Sequence, residues 1–504
     1  MISPDEIIDE AQRLASPKPV QKDASFVLKN LLAQVEEIDF DKEAYPKVEK
    51  LRAKQKDIHD PDELSEIQKK LDSFKLYQKH YLIITIEKLL EVARANEWDL
   101  CQRLADYYVY NGEYWHVLNK EELAAFLGNV AEKMGVPKFD SRYYEFKDKL
   151  FKQFESSAHL PEPEIDGNTA LVNLQNGTFE ITPKGQNLRE FDPDDFMTYQ
   201  LPFKYTPEAS APLFERYLSE VLPDQESQTV LAEFMGYIFL RNLKLEKVLF
   251  LYGSGRNGKS VMFDIIKAML GENNISFYGL QNLTDDTNYT RAKLVNKLIN
   301  WASDVGDKLQ SNTFKQLASG EPIEARLPYK EPFILRNVCK FAFNTNKLPA
   351  DVEHTDAFFE RFLIIPFDQY IEPERRDPKL AEKIISNELP GVFNWVLAGL
   401  NRLIEQEGFS HCEASDQVLK DFRKESDSVA LFMDDLGYKA DPESWTQAKP
   451  VYQSYREWCF SEGLKPLSKK NMLKRCDTLG LFTSTKNVGK VIHIKKHQVN
   501  GHAH

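Results

Sequence analysis

Residues 247–270, KVLFLYGSGRNGKSVMFDIIKAML, set an apolar run, a glycine-rich turn and a helix-spaced apolar stretch in direct succession. Few chain paths satisfy all three. A buried strand must end in a tight turn whose left-handed positions favour glycine, and a helix must start at once. The turn fits G-x-x-x-x-G-K-[ST], with Gly253, Gly258, Lys259 and Ser260 at the fixed positions and Ser254, Gly255, Arg256 and Asn257 between them. In such a turn the backbone N–H groups wrap phosphates, the lysine places a cation on the β/γ oxygens, and the serine offers its hydroxyl to Mg2+. Residues 253–260 are therefore the expected nucleotide-binding loop.

The surroundings extend this reading into a fold. Four more strand-like segments follow the run at 247–252, namely 275–280, 297–304, 338–346 and 361–368, each separated by helical stretches. Apolar strands alternating with helices predict a mostly parallel, five-stranded sheet covered by helices. Upstream, spacing such as LIITIEKLLEVA predicts a helical N-terminal domain over 1–158. A proline- and acid-rich boundary, HLPEPEID, opens a small module over 159–242, in which ALVNLQNGTFEITPKG reads as two strands around an Asn-Gly turn. The nucleotide domain then occupies 243–410, a further domain 411–498, and a polar tail 499–504.

At 504 residues and 42% apolar composition, the chain is long enough for several cores. Its acidic opening, MISPDEIIDE, lacks a basic leader followed by an apolar stretch, and no apolar run approaches eighteen residues. Neither secretion nor membrane insertion is expected. The five cysteines are odd in number and contain no CxxC pair, as reduced thiols in a cytoplasmic protein would be. His493, His497, His502 and His504 crowd the polar end of the chain, where disorder outweighs a metal site, and no structural metal is assigned.

Charge is unevenly spread. The chain carries −13 overall, yet residues 461–500 hold nine Lys/Arg against Glu462 and Asp477, a local +7 that leaves −20 elsewhere. That basic end, VYQSYREWCFSEGLKPLSKKNMLKRCDTLGLFTSTKNVGKVIHIKK, reads as a helix, a PLS turn with an N-cap, a basic helix, and two short strands around NVG. The pattern resembles a winged helix, with Lys469, Lys470, Lys474 and Arg475 on the recognition helix available to DNA phosphates.

Several other residues fit a hydrolytic site. Asp304 closes the strand LINWASD and could hold Mg2+ or polarise water, and Asn344 closes CKFAFNTN and could orient the attacking water. Arg361 enters the last strand through AFFERF and could act as an arginine finger on a neighbouring subunit's phosphate. Between acid and asparagine, ARLPYK sets two cations and an aromatic within a proline-bounded turn, suited to a hairpin that touches phosphates and stacks on bases.

The ordered set resembles the superfamily 3 helicases, closest to the helicase half of phage and plasmid primase-helicases of the poxvirus type. It is carried by the loop, by KLINWASD, by EARLPYKEPF, by CKFAFNTN and by AFFERF. The resemblance spans roughly residues 165–495 and implies an AAA+-like ATPase core. It implies ATP and Mg2+ as cofactors, with Lys259 on the phosphates, Ser260 and Asp304 at Mg2+, Asn344 as sensor and Arg361 as the finger acting in trans. Arg326, Tyr329 and Lys330 would face the pore of a homo-oligomeric ring, most simply a hexamer, translocating on single-stranded DNA at a forked duplex. Many members carry two adjacent acids at the strand end, whereas Ser303 precedes Asp304 here. No primase site is expected before residue 155, so the N-terminal region would serve assembly, loading or contact with a separate primase or other replication protein. Two alternatives are an ATP-dependent DNA-binding switch or helicase loader without unwinding, and a small-molecule P-loop kinase or GTPase. Neither the kinase nor the GTPase would need the basic hairpin or the basic end.

Overall fold

A computed structural model describes residues 23–103, 106–160, 169–241, 243–303, 305–306, 309–329, 331–336, 338–349 and 352–497. They form two compact units. The first comprises the described residues up to 160 with Leu171–Glu180 and Asn187–Leu201; the second holds the remainder.

In the first unit, helices Ala24–Gln34, Gln78–Ala95, Lys120–Lys133 and Tyr144–Ser157 bury one face each, closing a core that includes Leu31, Leu89, Leu127, Leu150 and Phe154. The helical expectation misses one element. Strands β1 (Asp99–Arg103), β2 (Asp106–Tyr110) and β3 (Trp115–Leu118) form an antiparallel sheet. Its local cause lies in the aromatic and β-branched run DYYVY followed by a turn. Asn111 Oδ1 accepts the N–H groups of Glu113 and Tyr114, both at 2.8 Å, and Gly112 takes φ +94°. The expected Asn-Gly strands appear as β4 (Ala170–Leu174) and β5 (Gly177–Thr182), joined in one sheet by β6 (Gly185–Arg189).

The second unit is built on β7 (Val248–Tyr252), β8 (Ile275–Ser276), β9 (Ile299–Ala302), β12 (Lys340–Thr345) and β13 (Phe362–Pro366), with a separate hairpin of β10 (Ile323–Ala325) and β11 (Phe333–Leu335). The five strands run parallel in the order β13-β7-β12-β9-β8. All five fall within the segments expected from sequence. β8 stops early because the side chain of Asn300 replaces the ladder, accepting from Ser276 Oγ and Tyr278 N–H and donating to Tyr278 O at 2.8–2.9 Å. Helices cover the sheet, as its predominantly apolar, buried strands require. Two of them, Gln225–Tyr237 and Leu389–Gln406, meet so closely that a Cβ on Gly399 would lie 2.3 Å from the backbone of Ala232. Buried Glu388 caps helix Pro212–Val221 by accepting the N–H groups of Leu213 and Phe214.

The chain ends in a module with its own core, including Phe432, Val451, Tyr455, Met472, Cys476 and Ile492. Helices Ser428–Asp435, Ala448–Ser461 and Lys469–Thr478 pack with β14 (Tyr438–Ala440), β15 (Thr446–Gln447), β16 (Thr483–Lys486), β17 (Gly489–Ile492) and β18 (Ile494–Lys496). β15, β17 and β16 form one antiparallel sheet, and β14 pairs with β18. Ser468 caps the basic helix by accepting Asn471 N–H, where the sequence places it.

Among the described residues no helix is long and apolar enough to cross a membrane.

Candidate functional site

β7 carries the chain to the C-terminal edge of the sheet and releases it into the glycine loop. Gly253 N–H donates to Thr345 O at 3.1 Å, tying the loop to the end of β12, and Phe367 N–H donates to Tyr252 O at 2.7 Å. A Cβ at Gly253 would lie 2.3 Å from both Phe367 O and Asn257 Nδ2, so that position has no room for another residue. Gly255, Arg256 and Gly258 all take positive φ, at +98°, +56° and +88°. Gly258 begins helix Lys259–Leu270, whose first N–H groups form an anion-attracting end. Tyr217 and Val221 close the loop from behind. The Tyr217 hydroxyl donates to Gly258 O at 2.8 Å, and Val221 Cγ1 would sit 2.6 Å from a Gly258 Cβ.

Ser254, Gly255, Arg256 and Ser260 stay exposed on the outer side. Lys259 is buried and folded back, its Nζ donating to Gly253 O at 2.8 Å and Asn257 Oδ1 at 2.9 Å. Asn257 is fixed in turn by donating to Phe367 O at 2.6 Å. Burial lowers the Lys259 pKa from its ordinary value, against the opposing pull of Asp368. The arrangement is a cradle of backbone donors with a cation already drawn into it.

Asn344 stands on the same edge. It pairs in register with Leu251 on β7, and its buried Oδ1 accepts the indole N–H of Trp301 at 3.0 Å. Trp301 thereby fixes the amide, a role that a tryptophan inside an apolar run gives no hint of. Asp304 lies outside the described residues.

Arg361 occupies the other edge. It directly precedes β13, whose first residue pairs with Val248, the first residue of β7. Phe362 is level with Val248 and the loop begins at Gly253, so the rise of ~3.3 Å per residue puts Arg361 roughly 20 Å along the sheet from the glycine loop of its own chain. Its guanidinium is also engaged: Nη2 donates to Glu246 Oε2 at 2.6 Å and Ser319 Oγ at 3.0 Å, and Nη1 donates to Ala357 O. Only Nε, buried, has no acceptor.

The β10–β11 hairpin is antiparallel, with Ala325 and Phe333 as its outermost pair. Beyond that pair Tyr329 is wholly exposed, at φ +60°. Arg326 is exposed too, its N–H donating to Asn288 O at 3.2 Å. Lys330 lies outside the described residues. On the basic helix Lys470 and Lys474 are exposed and Lys469 half-buried. Arg475 departs from the expected open face. Its Nε and Nη2 lie 2.8 and 2.7 Å from Asp427 Oδ2, and that carboxylate also caps helix Ser428–Asp435 by accepting Val429 and Ala430 N–H. Neighbouring helix residues diverge by about 100°, so Arg475 points inward where Lys474 points out.

All five cysteines are free and buried, with burial raising the thiols of Cys339 and Cys476 to about 12. Among the described residues no group of three or more His, Cys, Asp or Glu could hold a metal ion, and His502 and His504 lie outside them.

These features define an α/β protein with a parallel sheet that presents a glycine loop, a buried lysine and a fixed asparagine on one edge. Residues 79–223 match the D5 N terminal like family, and residues 251–361 match a family of unknown function, DUF5906. The chain is 23% identical over 342 residues to the putative helicase L207/L206 of Acanthamoeba polyphaga mimivirus, covering 62% of this chain and 35% of that one. It is 22% identical over 362 residues to the putative helicase 121R of Invertebrate iridescent virus 3, covering 62% and 37%. The chain thus spans about a third of the length of the curated relatives it matches. A solved structure of the apo NrS-1 C-terminal region is similar at a TM-score of 0.47 and 14% identity, over 82% of this chain and 98% of that one. These matches make the chain similar to viral putative helicases and to the D5 N terminal like family over part of its length.

Proposed function

We propose that this chain is the ATP-dependent motor of a DNA helicase acting in replication of a viral, plasmid or mobile-element genome. The observation that carries the reading is the separation of Lys259 and Asn344 on one sheet edge from Arg361 on the other. A loop that Arg361 of its own chain does not reach, and an Arg361 that has no loop beside it, complete each other when two copies meet head to tail. Repeated around a closed ring, most simply a hexamer, that contact gives one composite ATP site per interface.

In this reading the loop amides and Lys259 hold the phosphates of ATP, Asn344 orients the attacking water and Arg361 of the next copy steadies the developing charge. Ser260 and Asp304 are the residues that would hold Mg2+, which supplies charge neutralisation between phosphates when bound. Tyr329 with Arg326 and Lys330 meets the single strand in the pore, and the C-terminal module acts as a winged helix through Lys469, Lys470 and Lys474 on duplex phosphates. The N-terminal unit then serves assembly or partner contact.

The test is ATP hydrolysis with and without single-stranded DNA, on the parent and on Arg361→Ala, with mass measured in parallel. The reading expects a ring, DNA-stimulated turnover, and an Arg361→Ala chain that binds ATP yet poisons mixed rings. A ring that binds DNA and hydrolyses ATP without separating strands identifies a switch or loader. A monomer whose turnover ignores both DNA and Arg361 overturns the reading.

A further inference from the structure

The arginine edge and the hairpin are joined by one short helix. Helix Ser311–Ser319 ends at Gly320, φ +62°, where Gly320 and Glu321 N–H close on Leu317 O and Gln316 O, and β10 begins at Ile323. Lys315 and Ser319, one helical turn apart, both grip the segment that leads into Arg361. Lys315 Nζ pairs with Glu353 at 2.8 Å, and Ser319 Oγ accepts from Arg361 Nη2 at 3.0 Å. Beneath them Phe314 packs on Phe358 and Phe362, with ring centroids 5.3 and 5.1 Å apart.

The hold on Arg361 is incomplete. One nitrogen, Nη2, is shared between Glu246 and Ser319, while Nε is buried without an acceptor. A buried donor left unmade is destabilising, so the resting arrangement leaves Arg361 with more to gain from a multidentate anion than from its present partners. We infer that Glu246 and Ser319 are positioning residues for Arg361, and that helix Ser311–Ser319 transmits the engagement of Arg361 to the β10–β11 hairpin. The inference rests on the trans-acting role proposed above for Arg361. When a phosphate of the adjoining copy draws the guanidinium out, buried Ser319 loses its donor. The end of the helix then shifts to recover one, and the hairpin, rooted three residues beyond Gly320, swings with it. Glu246 supplies the competing anion that returns Arg361 after phosphate leaves.

The test compares ATP turnover with and without oligo(dT) in full-length parent, Ser319→Ala, Ser319→Thr and Lys315→Met, with mass and thermal unfolding alongside. Ser319→Ala is expected to bring DNA stimulation down to within about twofold of unity while its KM for ATP moves less than about twofold. Ser319→Thr, which keeps the hydroxyl, restores the stimulation. Lys315→Met, at a partly exposed position, lowers stimulation in the same sense and keeps the test open should Ser319→Ala fold poorly. A purely structural role would lower both rates together and leave their ratio intact. A folded Ser319→Ala ring with the parent's ratio overturns the inference alone; a parent without DNA stimulation overturns it together with the helicase reading.

Discussion

Replacing Arg475 by alanine removes the partner of a carboxylate that has little access to water. The Asp427 side chain is 3% exposed and that of Arg475 21%, so the pair is largely withdrawn from solvent. Breaking a buried pair from one side costs about 3–5 kcal/mol, because the remaining charge stays buried. Asp427 keeps two backbone donors, Val429 and Ala430 N–H, each at 3.1 Å, which sets the expectation at the lower end, about 3 kcal/mol. For a module of this size each kcal/mol moves Tm by about 4–8 °C, giving a fall of roughly 12–24 °C in the C-terminal transition. Trp458 reports it, since its indole donates to Asp435 at 2.8 Å and packs beside Phe432 in that core. Lys474→Ala, at an exposed position, should stay within about 0.5 kcal/mol of the parent and instead lower the salt slope of DNA binding by about one. If Arg475→Ala melts with the parent and weakens DNA binding as Lys474→Ala does, Asp427 does not hold Arg475 inward and the argument fails.

Three further outcomes are expected. Lys259→Ala should abolish binding of a fluorescent ATP analogue, whereas Asn344→Ala should hold Kd within about tenfold and lower turnover by about a hundredfold; equal losses of binding in both would refute the division of roles. Lys340, beginning β12, lies 3.8 Å from the centre of the Tyr237 ring, and burial brings its pKa down to about 7. Because its folded pKa lies below its unfolded value of about 10.4, the unfolded chain binds more protons above pH 7 and stability rises with pH. Lys340→Met should flatten the rise in urea midpoint between pH 7 and 9, and an unchanged rise would assign it to other groups. Gly399→Ala drives a Cβ to 2.3 Å from the backbone of Ala232 and should cost about 1–3 kcal/mol or more, read from loss of helical circular dichroism on heating; an unaltered melt would mean that the two helices can part freely.

The glycine loop was readable from eight adjacent residues because its requirements are local: left-handed turns, a lysine and a helix start. The five strand positions followed from apolar runs for the same reason. The sheet at 99–118 escaped a helical reading of its surroundings, although DYYVY and the Asn111 turn were available as signals. At the candidate site, the sequence proposes the loop and Asn344 but gives no hint of Trp301, Tyr217, Glu246 and Ser319, since each looks like an ordinary core or surface residue until a partner far along the chain is brought to it.

Residues 253–260 thus carry their own backbone conformation in their order, and the apolar period of each strand says that it is buried. Which edge of the sheet a residue occupies depends on parallel pairing between segments far apart in the chain, as when Val248 meets Phe362 and Leu251 meets Asn344. Only such pairing sets Asn344 beside the loop and Arg361 away from it, and only the approach of Asp427 across 48 residues turns Arg475 from a surface cation into a half-buried, paired one. Local steric and periodic constraints are written residue by residue, whereas the distance between two charges exists only after the chain has closed on itself.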